Sequence, residues 1–271
     1  MKIGVTGYKG RLGSWLVGQC GCVPLDCDIT DRAQVAEAIE SVEPQVIINC
    51  AAWAVVDTAE QPENREKALL VNTRGPGIIR TEFMGLLVHF STPFVFNGKE
   101  GPYKENAYRE PIQWYGWTKF GGEEAALMRG PTLVVRVSDL YGVGPLGDFV
   151  RRTRWNLEGD IFCDYPTNYF KTPSYIPHVA EAIMSAIDAG VTGFLHIAGD
   201  TTMSTYDWGK MIAEEFGLDP VLIVPGENYG TASRPLRGGL DTSKARSLGI
   251  PIYSPEQGLV ALRQWEADHG E

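Results

Sequence analysis

The chain has 271 residues, which suits one large α/β domain or a main domain with a smaller lobe attached. Its composition, 44% hydrophobic and 21% charged, is ordinary for a globular protein, and the formal net charge of −10 argues against non-specific binding to nucleic acid or to an anionic membrane. No apolar run reaches the roughly 18 residues of a membrane span, and the first residues, MKIGVTG, lack the apolar core of a signal peptide. We therefore expect a cytoplasmic location.

In chain order, short apolar runs alternate with amphipathic stretches. We predict a strand at residues 2–6, a helix at 11–19, a strand at 23–25, a helix capped by Thr30 or Asp31 and running to residue 42, a strand at 45–50, a helix at about 63–80, a strand at 86–90, a helix at 113–128 and a strand at 132–137. Beyond Gly142 the pattern loosens, and one more helix is predicted at 177–190 and one more strand at 193–199.

Apolar strands that alternate with helices predict a parallel sheet covered on both faces. Because crossovers between parallel strands are right-handed, the expected fold class is α/β with a doubly wound, Rossmann-type parallel sheet. We assign residues 1–147 and 172–199 to a dinucleotide-binding domain. Residues 148–171 and 200–271 are assigned mainly to a smaller substrate-binding lobe.

Neither the cysteines nor the histidines have the spacing of a metal site. The five cysteines are odd in number, and Cys20 and Cys22 lack the two-residue gap of a zinc or redox pair. The four histidines show no ligand spacing, and His89 and His196 fall inside predicted strands. We predict reduced core thiols, core histidines and no metal.

The stretch VTGYKGRLG follows the first predicted strand and opens the first helix. Its glycines, Gly7, Gly10 and Gly13, permit a tight turn, close approach of the backbone to a diphosphate and close packing of the helix on the strand. The helix N-terminus offers free N–H groups and partial positive charge. We therefore predict a dinucleotide cofactor.

Two signals on the identity of that cofactor conflict. Lys9 and Arg11 lie in the loop and favour the 2′-phosphate of NADPH. Asp26, at the end of the second strand, would lie near the adenosine ribose and favours NADH. We predict NADPH, with NADH as the alternative.

A tyrosine and a lysine lie four residues apart in YGWTK, on the helix predicted at 113–128. This spacing places Tyr115 and Lys119 on one helical face, roughly 6 Å apart along the axis. A free tyrosine has a pKa of about 10, and a nearby ammonium lowers that pKa by stabilising the phenolate. The pair is either an ordinary surface contact or a general acid with the charge that tunes it.

Seven motifs follow one another along nearly the whole chain: GYKGRLG (7–13), CDITD (27–31), NCAAWAVVDTAE (49–60), VNTRG (71–75), STPFVFNG (91–98), YGWTKFGGE (115–123) and SRPLRGGLDTSKARSLG (233–249). Together they resemble the extended short-chain dehydrogenases, most closely the dTDP-4-dehydrorhamnose reductases. Several ordered motifs are far more specific than any one of them.

The resemblance implies roles for individual residues. Tyr115 would protonate the substrate carbonyl as hydride arrives from the nicotinamide, and Lys119 would hold the nicotinamide ribose and tune Tyr115. The Thr92 hydroxyl would bond the same carbonyl oxygen. The residues implied to contact the cofactor are Gly7, Lys9, Gly10, Arg11, Leu12, Asp28, Ile29, Ala51, Ala52, Asn72, Ser91, Tyr115 and Lys119.

The positions that face the sugar depart from the family pattern. Pro93 and Phe94 replace a carboxylate and a phenol, and Asp139 stands where the reductases usually carry a tryptophan beside the sugar ring. Asp148 replaces an amide just before Phe149. The residues implied to bind substrate are Thr92, Phe94, Asp139, Phe149 and Arg234, with Arg151, Arg152, Arg154 and Arg237 as further anion candidates. A nucleotide sugar is the predicted substrate, without its sugar being fixed.

Three functions are open on the sequence. The first is NAD(P)H-dependent reduction of a 4-keto group on a nucleotide-activated deoxysugar. The second is an epimerase or dehydratase of the same superfamily, and Pro93 counts against a dehydratase because it supplies no acid or base beside the threonine. The third is a cofactor-binding regulatory subunit without catalysis, against which the intact Thr92, Tyr115 and Lys119 argue. The chain is also compatible with a homodimer.

Overall fold

The computed structural model describes residues 1–145, 147–227 and 229–270. In chain order the strands are β1 (Ile3–Thr6), β2 (Val23–Pro24), β3 (Val46–Asn49), β4 (Leu86–Ser91), β5 (Thr132–Arg136), β6 (Leu140–Tyr141), β7 (Cys163–Pro166), β8 (Phe170–Lys171), β9 (Ser174–Tyr175), β10 (Gly193–His196), β11 (Met203–Ser204) and β12 (Ile223–Gly226). The α-helices are α1 (Arg11–Gln19), α2 (Arg32–Val42), α3 (Val56–Ala59), α4 (Pro62–Leu69), α5 (Gly75–Glu82), α6 (Trp114–Leu127), α7 (Phe149–Glu158), α8 (Ile176–Asp188), α9 (Thr205–Glu215), α10 (Ser243–Ser247) and α11 (Pro255–His269).

Within the described residues, six parallel strands form the central sheet, in the order β2-β1-β3-β4-β5-β10. The chain begins in the interior of the sheet with β1, moves outward to β2 and then crosses back to β3. The strand order therefore reverses between β1 and β3. In open parallel sheets, ligands bind outside the carboxyl ends of the strands at such a reversal. The predicted doubly wound fold is confirmed.

Every residue of β1, β3 and β5 is buried, because helices cover both faces of the sheet. Side chains alternate across a strand, so Ile47 and Ile48 enter different cores. Ile48 joins Val5 and Val135 in the larger core, with α1 and α8, whereas Ile47 packs with Leu87 in the core that α2 and α5 cover. The uninterrupted apolar runs of the sequence are a consequence of this two-sided burial.

Most predicted elements agree with the observed ones within two residues, and Asp31 rather than Thr30 caps α2. The exceptions are the strand predicted at 193–199, which ends at His196, and the single helix predicted at 63–80, which consists of α4, a π-helical turn at Leu70–Arg74 and α5. Pro76 has no N–H group to donate to the preceding turn, so the regular hydrogen-bond pattern is interrupted there.

The chain beyond β5 builds smaller elements beside the sheet. β7 pairs with β12 and β6 with β9, both in parallel, and β8 pairs antiparallel with β11. These short strands were not predicted, because two to four residues carry too little periodicity. The domain boundaries at residues 147, 171 and 199 stay a prediction. None of the helices in the described parts of the chain has both the length and the apolar character to cross a membrane.

Candidate active site

Loops leave the carboxyl ends of neighbouring parallel strands and meet at one edge of the sheet. Gly7 lies just beyond β1, Ala51 beyond β3, Thr92 beyond β4 and Asp139 beyond β5. Because the strands point the same way, these residues lie on the same side of the molecule. The predicted catalytic, cofactor and substrate positions are therefore drawn from one region.

The loop between β1 and α1 has the backbone shape of a diphosphate cradle. Gly7 has a positive φ of 64°, and its carbonyl accepts a hydrogen bond from the Gly10 amide at 3.0 Å. A side chain on Gly7 would collide with the backbone of Ala51, and one on Gly13 would collide with the Gly7 carbonyl. No side chain of the described residues caps the start of α1, so its first N–H groups are available to an anion. These residues fit the diphosphate of a dinucleotide.

The charged residues around this loop have partners that the sequence did not predict. Lys9 and Asp26, which gave conflicting signals on the cofactor, form an exposed ion pair at 3.5 Å. Arg11 donates a hydrogen bond to the Leu140 carbonyl at 2.7 Å and lies 3.5 Å from Asp148. Arg11 is therefore held by the segment after β5, which leaves Lys9 as the better placed of the two cations for a 2′-phosphate.

Three residues implied to contact the cofactor, Leu12, Asp28 and Ile29, differ in exposure. Asp28 is exposed, and its carboxylate accepts hydrogen bonds from the Thr30 amide at 2.9 Å and the Thr30 hydroxyl at 2.8 Å. Ile29 is buried against Gly75, and Leu12 is buried in the larger core. A cofactor contact by Ile29 or Leu12 would therefore involve mainly the backbone.

The Asn72 side chain fixes the segment that follows β3. Its Oδ1 accepts a hydrogen bond from the Trp53 amide at 2.8 Å, and its Nδ2 donates to the Trp53 carbonyl and to Thr118 Oγ1, each at 3.0 Å. Ala51 and Ala52, predicted to line the cofactor, directly precede Trp53. Asn72 therefore sets how closely these small residues approach α6.

The structure brings Thr92, Tyr115 and Lys119 together at the end of β4. Their exposed fractions are 7%, 9% and 3%. The Thr92 hydroxyl is within hydrogen-bonding reach of the Tyr115 phenol, and Lys119 Nζ donates to the Phe90 carbonyl at 2.7 Å. Ser91 lies between Phe90 and Thr92 at the end of β4, and its buried hydroxyl has no hydrogen-bond partner among the described residues.

Burial determines the pKa values of the tyrosine and the lysine. It raises the pKa of Tyr115 to about 12, and the hydrogen bond with Thr92 opposes that shift. The expected lowering of the Tyr115 pKa by Lys119 is not found in this structure, where burial raises that pKa and only the hydrogen bond with Thr92 opposes it. Burial also lowers the pKa of Lys119 to about 8, against the opposing effects of Glu123 and Cys50. At neutral pH Tyr115 is protonated and Lys119 is mostly charged.

Glu123 belongs to the site, although the sequence did not assign it a role. It is fully buried, and its carboxylate makes a bidentate contact with Arg136 of β5 at 2.8 and 2.9 Å and pairs with Arg109 at 2.9 Å. The bidentate contact fixes α6 against the sheet. A signal was present, since Glu123 closes the YGWTKFGGE motif four residues after Lys119.

A cavity of about 600 Å³ opens on the side of Phe94, the residue whose ring packs against Tyr115. Its lining includes the predicted substrate residues Phe94, Asp139, Phe149 and Arg234, together with Arg152, Tyr169 and Lys171. Phe94 separates the cavity from Tyr115, with ring centroids 5.6 Å apart at 80°. Thr92 lines a smaller recess of about 50 Å³, which shares Phe94, Asp139 and Lys171 with the cavity.

Two cations of the cavity are paired with carboxylates. Arg234 Nη2 lies 2.7 Å from Asp57, and Lys171 Nζ lies 3.1 Å from Asp139. Asp57 and Lys171 were not assigned from the sequence. Asp57 lies in the VVDTAE part of a recognised motif, whereas Lys171 lies outside the seven motifs.

The remaining candidates have other surroundings. Arg152 lines the cavity, whereas Arg154 forms an ion pair with Glu266 at 2.7 Å.

The five cysteines are free thiols. Burial lowers the pKa of His89 and that of His196, the latter to about 3, so both are neutral. Over residues 1–145, 147–227 and 229–270, no group of three His, Cys, Asp or Glu side chains could hold a metal ion.

This geometry defines the class of protein: a Rossmann-type, nicotinamide-dependent oxidoreductase, with the glycine cradle and the tyrosine on the same carboxyl edge of the sheet. Residues 1–264 match the family described as RmlD substrate binding domain, and the chain belongs to that family.

Individual relatives agree with this assignment. The chain is 34% identical to the probable low-salt glycan biosynthesis reductase Agl14 of Haloferax volcanii, over 98% of both chains. It is 31% identical to the dTDP-4-dehydrorhamnose reductase of Mycolicibacterium smegmatis, covering 97% of this chain and 82% of that one. A solved structure of dTDP-4-dehydrorhamnose reductase from Bacillus anthracis in complex with NADP has a TM-score of 0.90 and 26% identity, covering 97% of this chain and 99% of that one. The resemblance inferred from the motifs is confirmed.

Proposed function

We propose that this protein uses NADPH to reduce the 4-keto group of a nucleotide-linked deoxysugar. The observation that carries the proposal is the buried cluster of Thr92, Tyr115 and Lys119. The cluster borders the glycine cradle through Cys50, which lies against Gly7, and borders the cavity through the ring of Phe94. A substrate carbonyl at the cluster would therefore be within reach of a nicotinamide whose diphosphate lies in the cradle. The rest of the substrate would lie in the cavity.

Each member of the cluster has a separate task. A reduced nicotinamide supplies hydride to the carbonyl carbon. Tyr115 donates its phenolic proton to the carbonyl oxygen, and the Thr92 hydroxyl donates a hydrogen bond to the same oxygen, so negative charge does not build up there. Lys119 binds the cofactor ribose, and its charge stabilises the phenolate that Tyr115 becomes. Burial keeps water away from these groups and strengthens their electrostatic interactions.

The cavity of about 600 Å³ has the size of a small-molecule site. We assign the sugar to the end near Thr92 and the diphosphate to the arginines Arg152 and Arg234. Arginine suits this task because its planar guanidinium can contact two phosphate oxygens at once. For Arg234 the phosphate would share or replace the contact with Asp57.

NADPH is proposed over NADH because Lys9 lies at the end of the cradle where a 2′-phosphate would bind, although Asp26 partly neutralises it.

A cytoplasmic location and a homodimer remain predictions. Light scattering during size-exclusion chromatography tests the second, since a monomer has a mass of 29.8 kDa.

A single assay tests the proposed reaction. The protein is incubated with NADPH or NADH and a dTDP-4-keto-6-deoxy sugar, and the absorbance of the reduced nicotinamide is followed. We expect one nicotinamide oxidised per sugar reduced, with a higher kcat/KM for NADPH. An epimerase would form product without net oxidation, and a regulatory subunit would bind cofactor without turnover. Either result would overturn the proposal.

A further inference from the structure

Asp139 carries an unused acceptor where the recess beside Thr92 joins the large cavity. One carboxylate oxygen, Oδ1, lies 3.1 Å from Lys171 Nζ. The other oxygen, Oδ2, is buried and has no hydrogen-bond partner among the described residues. A buried acceptor without a donor is costly, so its presence in a binding cavity indicates that a ligand supplies the donor.

The Asp139 carboxylate is held in a fixed position. Its backbone has a φ of 46°, and its carbonyl accepts a hydrogen bond from the Ser174 amide at 3.3 Å. Non-glycine residues adopt such a φ infrequently, and aspartate tolerates it better than most. Lys171 is held as well, because the rings of Phe149 and Tyr169 lie 4.6 and 5.4 Å from its ammonium. The free oxygen is therefore preorganised for one direction of approach.

We infer that Asp139 selects the substrate by accepting a hydrogen bond from a hydroxyl on the carbon next to the keto carbon of the sugar. The inference rests on the proposed function, which places the keto oxygen at Thr92. The recess of about 50 Å³ has room for one or two non-hydrogen atoms, so a group that reaches Asp139 is close to the carbonyl. In a 4-keto-6-deoxy sugar this group is the 3-hydroxyl, since the other neighbour of the keto carbon, carbon 5, bears only the ring oxygen, which cannot donate.

The charges around Asp139 favour a neutral donor. Lys171 already balances the charge of Asp139, so an ammonium group at Oδ2 would add an uncompensated charge to the cavity, and a carboxylate would be repelled by Asp139 itself. A hydroxyl completes the hydrogen bonding of the carboxylate without adding charge, and hydrogen bonds to an ionised acceptor are strong. The group that meets Asp139 is therefore a hydroxyl rather than an amine or a carboxylate.

The test compares a hydroxyl with a fluorine, which fills a similar space but cannot donate. Calorimetry measures the Kd of dTDP-4-keto-6-deoxyglucose and of its 3-deoxy-3-fluoro analogue for the protein saturated with NADP⁺, so no turnover is needed. We expect the wild type to bind the hydroxyl sugar about 10-fold or more tightly than the fluoro sugar. In Asp139→Asn and Asp139→Gly the preference should fall to about threefold or less, and both replacements tolerate the positive φ.

Glu82→Gln is the matched control, because it breaks the ion pair of Glu82 with Arg32 at 2.6 Å, outside the cavity, and should keep the full preference. Equal binding of the two sugars to the wild type, no binding of either, or an unchanged preference in Asp139→Gly would overturn the inference. NADPH oxidation with the hydroxyl sugar is measured in parallel. A clear preference in binding without any oxidation would support the role of Asp139 and refute the proposed reduction.

Discussion

The Tyr115 phenol and the Lys119 ammonium lose solvent in the same small volume, and burial shifts their pKa values in opposite directions, to about 12 and about 8. Both shifts favour the neutral form, because a medium of low polarity penalises charge. The same medium strengthens the attraction between a phenolate and an ammonium. At the scale of single residues, these shifts suit the proposed role of Tyr115, whose proton would leave during reduction and not before it.

Replacing Tyr115 with phenylalanine removes the proton donor and keeps the ring that packs against Phe94. We expect kcat to fall by about 10²- to 10⁴-fold. The Kd of NADPH, measured by fluorescence titration, should change by about threefold at most, because the phenyl ring still fills the site. Tyr108→Phe, at a side chain that is 84% exposed, is the control and should keep the wild-type rate. A Tyr115→Phe enzyme with full activity would mean that another group donates the proton.

Lys119→Met should stabilise the fold while it removes activity. Burial lowers the pKa of Lys119 from its ordinary 10.5 to about 8. Below pH 8 the lysine is charged in both states, and the buried charge costs the folded state free energy that the solvated charge of the unfolded chain does not. Allowing for the lost hydrogen bond to Phe90, we expect the free energy of unfolding at pH 7 to rise by about 2 kcal/mol. The folded state binds fewer protons between pH 8 and 10.5, so wild-type stability rises through that window and the advantage of the variant shrinks.

Urea unfolding at pH 7 and pH 10 measures this difference. Lys67→Met, at an exposed lysine of α4, should show no such dependence on pH. Turnover and NADPH affinity of Lys119→Met should both fall, since we propose that the ammonium holds the cofactor ribose. If Lys119→Met were less stable than the wild type at pH 7, the ammonium would be better solvated or paired than the structure indicates.

At the scale of secondary-structure elements, two of the buried polar contacts that fix α6 to its neighbours lie on either side of Lys119. Thr118 accepts a hydrogen bond from Asn72 at 3.0 Å, and Glu123 pairs with Arg136 at 2.8 Å. Lys119 lies between these two points, and Tyr115 is one turn before the first. The Tyr115 and Lys119 side chains therefore cannot move along the helix axis without breaking a buried contact.

The glycines of α1 permit a matched test of the cradle. A methyl group at Gly13 would collide with the Gly7 carbonyl, whereas at Gly18 it would meet no described atom within 4 Å. We expect Gly13→Ala to weaken NADPH binding by about tenfold or more. Gly18→Ala should leave binding unchanged and raise the free energy of unfolding by up to about 1 kcal/mol, because alanine favours helix interiors. Calorimetric titration and urea unfolding measure the two quantities, and equal NADPH affinities would contradict the cradle.

At the scale of the whole molecule, segments far apart in sequence meet over the cavity. Asp57 accepts hydrogen bonds from the Thr231 amide at 2.9 Å, the Ala232 amide at 2.8 Å and Arg234 Nη2 at 2.7 Å. Burial alone would raise the pKa of Asp57, but the hydrogen bonds from Ala232 and Arg234 outweigh it and hold the pKa below its usual value. The contact therefore stabilises the fold above the ordinary carboxyl pKa and is lost as the pH falls through the lowered one.

Asp57→Asn should loosen the segment over the cavity. An amide accepts fewer and weaker hydrogen bonds than a carboxylate, so the Thr231 and Ala232 amides should exchange with deuterium about tenfold faster at pH 7. The KM for the nucleotide sugar should rise, since Arg234 loses its fixed position. Hydrogen exchange with mass spectrometry and initial rates measure both effects. Glu215→Gln, which breaks a 2.7 Å ion pair with Arg263, is the control, and unchanged exchange in Asp57→Asn would refute the role of this contact.

The sequence by itself determined the order of strands and helices, the doubly wound sheet, the glycine cradle and the motif set that contains Thr92, Tyr115 and Lys119. These features depend on periodicity within one element or on spacing within one loop or helix, and both are written in consecutive residues. Tertiary structure decided the partners of the charges: Arg11 with Asp148, Arg234 with Asp57 and Lys171 with Asp139. It also decided the direction of the pKa shift of Tyr115. An ion pair depends on where two distant segments meet, and a pKa depends on every group that excludes water, so neither is readable from any one segment.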